Sequence, residues 1–299
     1  MGGQRLVAVV GVGAVGGVFA AHLSAVHDVV ACVRRPFDRY RVESPAIPFD
    51  GPAVAVTNPD GVPFDRPADA VLVGLKAQHT ADAAPWFGRL CGPDTTVIVM
   101  QNGIEGRERL APLVGGATVV PSVVYCGAEL LAPGHIRHDS QARLIVADDA
   151  AGAVAAELVD GTPLTIERSD RFATSAWVKL GINSVANGLT ALTGKPMGVL
   201  AEPGIAAIAE ALLTECWTVG RADGVELDLD GIPEMVRRMS AQPGGRTSMQ
   251  HDREAGRPTE YDAIHGAVLR RAAAHRIEVP VTTLIHDLLA AAEPGPGAP

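Results

Sequence analysis

Lysine is nearly absent from this 299-residue chain. Of 25 cationic side chains only Lys76, Lys179 and Lys195 are lysines, and arginine supplies the rest. Cysteine is scarce too: Cys32, Cys91, Cys126 and Cys216 stand far apart, with no CxxC pair. That spacing argues against a disulfide framework or a zinc site and suits a reducing cytosol. Positive charge is in deficit. A net charge of -9 and a pI near 5.5 argue against a general binder of nucleic acid or acidic membrane. They leave room for a small anion in a locally cationic pocket. Long apolar runs are missing as well. Residues 6–21, "LVAVVGVGAVGGVFAA", are too short to span a bilayer comfortably. With no targeting segment read, a soluble cytoplasmic protein is expected. His135 and His138 form an HxxH with no ligand cluster around it, which reads as a surface pair.

A hydrophobic content of 47% against 20% charged gives ample material for a core. The first half alternates short β-branched runs with helix-compatible segments. Strands are expected at 5–10, 28–33, 71–75, 95–100, 117–125, 134–138 and 143–147. Nearly continuous apolar runs such as "VLVGL" suit strands buried on both faces of a parallel sheet. Pro133-Gly134 reads as a turn between antiparallel strands. Beyond about residue 168 the texture becomes helical, with segments at 170–192, 201–223, 231–240, 259–275 and 281–291. The expected organisation is an α/β domain over 1–168, an all-helical domain over 169–292 and a disordered tail over 293–299.

Gly11-Val12-Gly13-Ala14-Val15-Gly16 is G-x-G-x-x-G, directly after a strand and opening a helix. In that setting the glycines allow a tight turn, close approach of backbone to a pyrophosphate, and close helix–strand packing. The helix N-terminus, including Ala14 and Val15, then presents free N–H groups to phosphate. The first domain is therefore expected to be a Rossmann-type parallel sheet. At the end of the second strand an NAD enzyme would place a carboxylate, but this chain reads "ACVRRP". Arg34 suits a 2′-phosphate, which favours NADP(H) over NAD; Arg35 reads equally well as a solvated cation. Lys76 and Asn102 follow two further strands and fall on the same sheet edge, where ligands of open α/β sheets gather. Each has a plainer reading, as a solvated strand-end charge and as an Asn-Gly turn.

The stretch "WVKLGINSVANGLTAL", 177–192, puts Lys179, Asn183 and Asn187 within about 80° of one helix face. Such a stripe either faces water or lines a pocket, and two asparagines suit the pocket better. Reduction of a carbonyl leaves negative charge on oxygen, which must be stabilised and protonated. A lysine can do both, whereas arginine holds its proton too tightly. A second polar segment, "SMQHDREAGRPTEYD" at 248–262, offers Ser248 as a substrate hydrogen-bonding group. Glu260 there could serve as a partner for Lys179 or for a substrate hydroxyl. A solvated turn would account for Ser248 and helix-dipole compensation for Glu260.

Taken together, "GVGAVG", "ACVRR", "LKAQ", "QNG", "GAELLAPGHIRH" and the two long stretches resemble the ketopantoate reductase (2-dehydropantoate 2-reductase) family over nearly the whole chain. The resemblance implies NADPH-dependent reduction of ketopantoate to (R)-pantoate, for pantothenate and coenzyme A synthesis, in a cleft between two domains. It places cofactor binding on Gly11, Gly13, Gly16, Arg34, Lys76 and Asn102, and the catalytic lysine on Lys179. Substrate contacts fall on Asn183, Asn187, Ser248 and Glu260, with Glu260 counted beside Lys179 among the catalytic residues. The partner expected is a small 2-oxo acid, with neither nucleic acid nor membrane, and a homodimer is the assembly to be tested. Two positions depart from the family pattern: Gly188 stands where a proline often follows the second asparagine, and the serine segment reads S-M-Q-H-D. Both put the identity of the 2-oxo acid in question. Other readings stay open: a paralogue acting on another 2-oxo acid, a silent NADP-binding sensor, or a 3-hydroxy-acid dehydrogenase.

Overall fold

Strand-forming runs dominate the first part of the chain, and the computed structural model, which describes residues 3–294, arranges them in two sheets. In chain order they are β1 (Leu6–Val10), β2 (Asp28–Cys32), β3 (Arg39–Glu43), β4 (Phe49–Pro52), β5 (Val54–Val56) and β6 (Ala70–Val73). They continue with β7 (Thr96–Val99), β8 (Thr118–Pro121), β9 (Val123–Ala132), β10 (His135–Ala147) and β11 (Thr165–Ser169). The helices between them are α1 (Ala14–Leu23), α2 (Ala84–Leu90), α3 (Gly106–Leu110) and α4 (Ala150–Glu157). The first sheet runs β5-β2-β1-β6-β7-β8, with every pair parallel.

The apolar runs are continuous because both faces of that sheet are covered. Val7, Val9, Leu72 and Ile98 pack into one core with α1, while Ala8, Val10, Val71, Val73, Val97 and Val99 pack into another on the opposite face. Each large apolar side chain among them contributes about 1.5–3 kcal/mol of burial. The second sheet, β11-β10-β3-β4 with β9 antiparallel to β10, closes the first core from beyond α1 through Tyr40, Val42, Ile136 and Leu144.

Some expectations need correcting. The run at 117–125 is two strands in different sheets, and the runs at 134–138 and 143–147 are one strand interrupted by a bulge between His138 and Ala142. His138 is buried rather than on the surface: its Nδ1 lies 3.0 Å from Ser44 Oγ, while His135 meets Glu43 at 2.7 Å. β3, β4 and β11 carried no clear sequence signal. They are short, and their outer residues are charged, as in "RYRVE", where only Tyr40 and Val42 are buried.

Contacts divide the chain into two compact units between Phe172 and Ala173. The second unit is helical: α5 (Phe172–Thr193), α6 (Pro203–Ala222), α7 (Ile232–Ser240), α8 (Ser248–Glu254), a π-helical turn (Asp262–Gly266), α9 (Ala267–His275) and α10 (Pro280–Ala291). α6 lies against α7, α9 and α10. Its Glu215 caps α10 by accepting hydrogen bonds from the N–H groups of Val281 (2.9 Å) and Thr282 (2.7 Å). The segment at 248–254 is a helix rather than a turn: Thr247 is its N-cap and accepts from Gln250 N–H at 3.2 Å. Of the tail expected to be disordered, Glu293 is tied down, accepting from Thr259 N–H and Oγ1 at 2.9 and 2.6 Å. Residues 295–299 lie outside the described residues. Among the described residues no helix is long and apolar enough to cross a membrane.

Candidate functional site

Each unit carries one group of candidate residues. In the first, the β1–α1 turn separates what its glycines do for the fold from what they leave open. Gly11 has φ +90°, and a Cβ there would lie 2.3 Å from Leu75 N. A Cβ on Gly16 would lie 2.3 Å from Gly11 O. Both positions are demanded by the protein's own packing. Gly13 differs: a Cβ there would meet nothing within 4 Å. It caps α1 without a side-chain hydrogen bond, and no acidic residue stands in the first turn. The helix start is therefore an open, electropositive backbone surface, reached past a residue whose bareness the fold itself does not require. The residues present fit a dinucleotide phosphate.

Parallel register brings the other candidates to the same edge. Val10 is level with Cys32 and with Val73, and Val73 with Val99. The residues just beyond those strand ends are Gly11, Arg34, Lys76 and Asn102. Arg34 is exposed, while Lys76 and Asn102 are half-buried. Asp28, level with Leu6, sits at the opposite edge and is bound by Gln4 Nε2 at 2.7 Å. Sequence reading missed Gln101. Buried beside Asn102, it donates from Nε2 to Leu75 O (3.1 Å) and Thr80 Oγ1 (2.9 Å), clamping the two loops that carry Lys76 and Asn102. Only its place in "QNG" hinted at this.

In the second unit α5 is one unbroken helix, so Lys179, Asn183 and Asn187 do share a stripe. Asn183 and Asn187 are buried and Lys179 is half-buried. Burial lowers the Lys179 pKa from the ordinary lysine value. Lys195, by contrast, is spent on an exposed ion pair with Glu202 at 2.9 Å.

Ser248 and Glu260 are placed very differently. Ser248 is exposed at the first position of α8, whose cap Thr247 is held to α5 by Thr190 Oγ1 at 2.7 Å. Glu260 is buried where the chain enters the π-helical turn, and its carbonyl accepts from Ile264 N–H at 3.1 Å. Sequence reading also missed His265. It is fully buried in that turn, and its Nε2 contacts Ser184 O in the middle of α5 at 2.9 Å. A lone histidine on an apolar stretch carries no local signal for such a contact. Among the described residues no group of three or more His, Cys, Asp or Glu could hold a metal ion.

Known proteins share both the sequence and the fold. Residues 7–150 match the family model described as ketopantoate reductase PanE/ApbA, and residues 171–293 match the model of its C-terminal part. A 2-dehydropantoate 2-reductase of Caulobacter vibrioides is 38% identical over 293 residues, covering 96% of this chain and 98% of that protein. One from Mycobacterium tuberculosis is 36% identical over 296 residues, covering 97% and 99%. Among solved structures, a PanE/ApbA family ketopantoate reductase from Ralstonia eutropha superposes with a TM-score of 0.86 at 30% identity, covering 96% of this chain and 97% of its own.

Proposed function

This chain belongs to the ketopantoate reductase family and is an oxidoreductase, and from that membership we propose that it reduces the 2-keto group of 2-dehydropantoate to (R)-pantoate at the expense of NADPH. The reductant, when bound, supplies the hydride. The chain's own residues do the rest. The glycine turn and the α1 N-terminus would hold the pyrophosphate, and Arg34 would pair with the 2′-phosphate, for which a guanidinium is suited. Lys76 and Asn102, clamped by Gln101, line the same edge.

On the substrate side Lys179 holds its ammonium against the keto oxygen. As the carbon gains hydride, the C=O π pair moves to oxygen. Lys179 stabilises that charge, gives up one proton to make the hydroxyl, and recovers a proton from solvent. Asn183, Asn187, Ser248 and Glu260 bind and orient the substrate. The observation that carries this reading is the Lys179 stripe: a half-buried lysine, made a readier acid by burial, followed at helical spacing by two buried asparagines.

The test is oxidation of NADPH, followed by absorbance, with 2-dehydropantoate, run in parallel with NADH. Lys179→Ala should lower kcat by about 10²–10⁴-fold, and NADPH should be preferred through Arg34. Near-normal turnover by Lys179→Ala would falsify the lysine's role, and equal use of NADH would remove Arg34's. A second reading, a paralogue for another 2-oxo acid, draws on the altered serine segment. Comparing kcat/KM across branched 2-oxo acids separates the two.

A further inference from the structure

His265 takes no part in the proton and hydride steps, yet it is completely buried between the two elements that carry the substrate-side residues. It stands in the π-helical turn Asp262–Gly266, which begins two residues beyond Glu260. A π turn adds a residue to the helical repeat and re-aims the side chains beyond it, a device that recurs at functional sites. The Nε2 of His265 lies 2.9 Å from the carbonyl oxygen of Ser184; a carbonyl can only accept, so Nε2 carries the proton. Burial pushes the ring's pKa down to about 4, so it is neutral at ordinary pH.

The same ring edge fills the space that Gly188 leaves. A Cβ on Gly188 would lie 2.8 Å from His265 Nε2 and 3.1 Å from its Cε1. Ser184 and Gly188 are one helical turn apart on α5. Asn183 and Asn187 are the adjacent stripe, each about 100° away around the helix. One imidazole thus grips α5 by a carbonyl and by a bare backbone position, immediately beside both asparagines. The room at Gly188 is taken up by the protein itself and gives no space to a larger substrate.

We propose that His265 is a positioning residue that fixes the register of α5 against the turn entered through Glu260, so that Asn183, Asn187 and Glu260 are presented to the 2-oxo acid as one array. This rests on those three residues being substrate contacts, as assigned under the proposed function. Holding two helical segments by one neutral donor is worth more than packing alone, because the buried carbonyl of Ser184 would otherwise keep a lone pair unmet.

The experiment compares His265→Phe, which keeps a ring and loses the donor, with His265→Gln, whose amide N–H restores a donor near Nε2. For His265→Phe the KM for 2-dehydropantoate should rise about tenfold, with NADPH affinity within about twofold of the parent, since that site lies in the other unit. His265→Gln should recover most of the loss. Gly188→Ala should raise KM in the same way by pushing on the ring, and should lose most of that effect in a His265→Ala background. Should His265→Phe not fold, Gly188→Ala and His265→Gln still decide the question. An unchanged KM in the folded variants, with only the melting temperature lowered, would make His265 a purely structural residue. If the unsubstituted protein bound NADPH but left 2-dehydropantoate untouched, the functional reading would fall and this inference with it.

Discussion

Lysine and arginine carry the same charge, but at position 179 they would not be equivalent. An ammonium drawn partly out of water loses stability relative to its neutral form, so its pKa falls, whereas a guanidinium stays charged throughout the accessible range. As an acid Lys179 must be protonated, so activity is lost as pH rises through its pKa. Because that pKa lies below the ordinary lysine value, the alkaline limb of kcat should fall at a lower pH than an exposed lysine would give. Lys179→Arg should show no such limb and little activity. A profile from pH 6 to about 10.5 measures this; a parent enzyme flat across the whole range would contradict it. The stripe itself could be read from the sequence, because three residues at steps of four need only a helix to align them. That both asparagines are buried could not, since burial depends on packing from distant elements.

Among the elements, the β1–α1 turn makes the sharpest division between fold and ligand. Gly11 is bare because the backbone of Leu75 passes 2.3 Å from where a Cβ would stand, and its φ is +90°. Gly11→Ala should therefore cost about 1–3 kcal/mol from backbone strain alone, and more from the clash. Gly13→Ala meets no protein atom within 4 Å and should change stability by no more than about 1 kcal/mol, the difference between good and poor caps. Its effect should appear in ligand binding, as a rise of about tenfold or more in the Kd for NADPH. Thermal melts and a fluorescence titration on the two variants read both quantities; equal destabilisation with unchanged NADPH affinity would refute the division. The parallel strands were legible for a related reason. Burial on both faces makes every residue apolar, and that run stands out. The second sheet was legible only in its hairpin, since β3 and β11 alternate with charged residues over five positions.

For the whole molecule, buried histidines should set the response to acid. An unfolded histidine titrates near 6.5, and His265 in the folded chain near 4. Between those values the unfolded state binds more protons, so stability falls as pH drops from about 6.5 to about 4, by roughly 3 kcal/mol in all. Burial shifts His22 in the first unit the same way, adding acid sensitivity there. Melting curves at pH 7, 5.5 and 4.5 should show the fall, and His265→Gln should lack its own share. Identical acid sensitivity in that variant and the parent would rule out His265 as a source.

What the sequence determined by itself is whatever a residue's near neighbours decide. The glycine turn is set by the strand before it and the helix after it, and Lys179, Asn183 and Asn187 are aligned by helical repeat alone. Two helical segments and a charged strand end already pointed to the family. What only the tertiary structure decided involves partners far apart along the chain. Ser184 and His265 are 81 residues apart, and Glu215 caps a helix 66 residues onward. In the sequence Gly188 reads as a departure that puts the substrate in question. Packing fills the space beside it with an imidazole, because a close-packed interior leaves no such space unused when a side chain from another element can reach it.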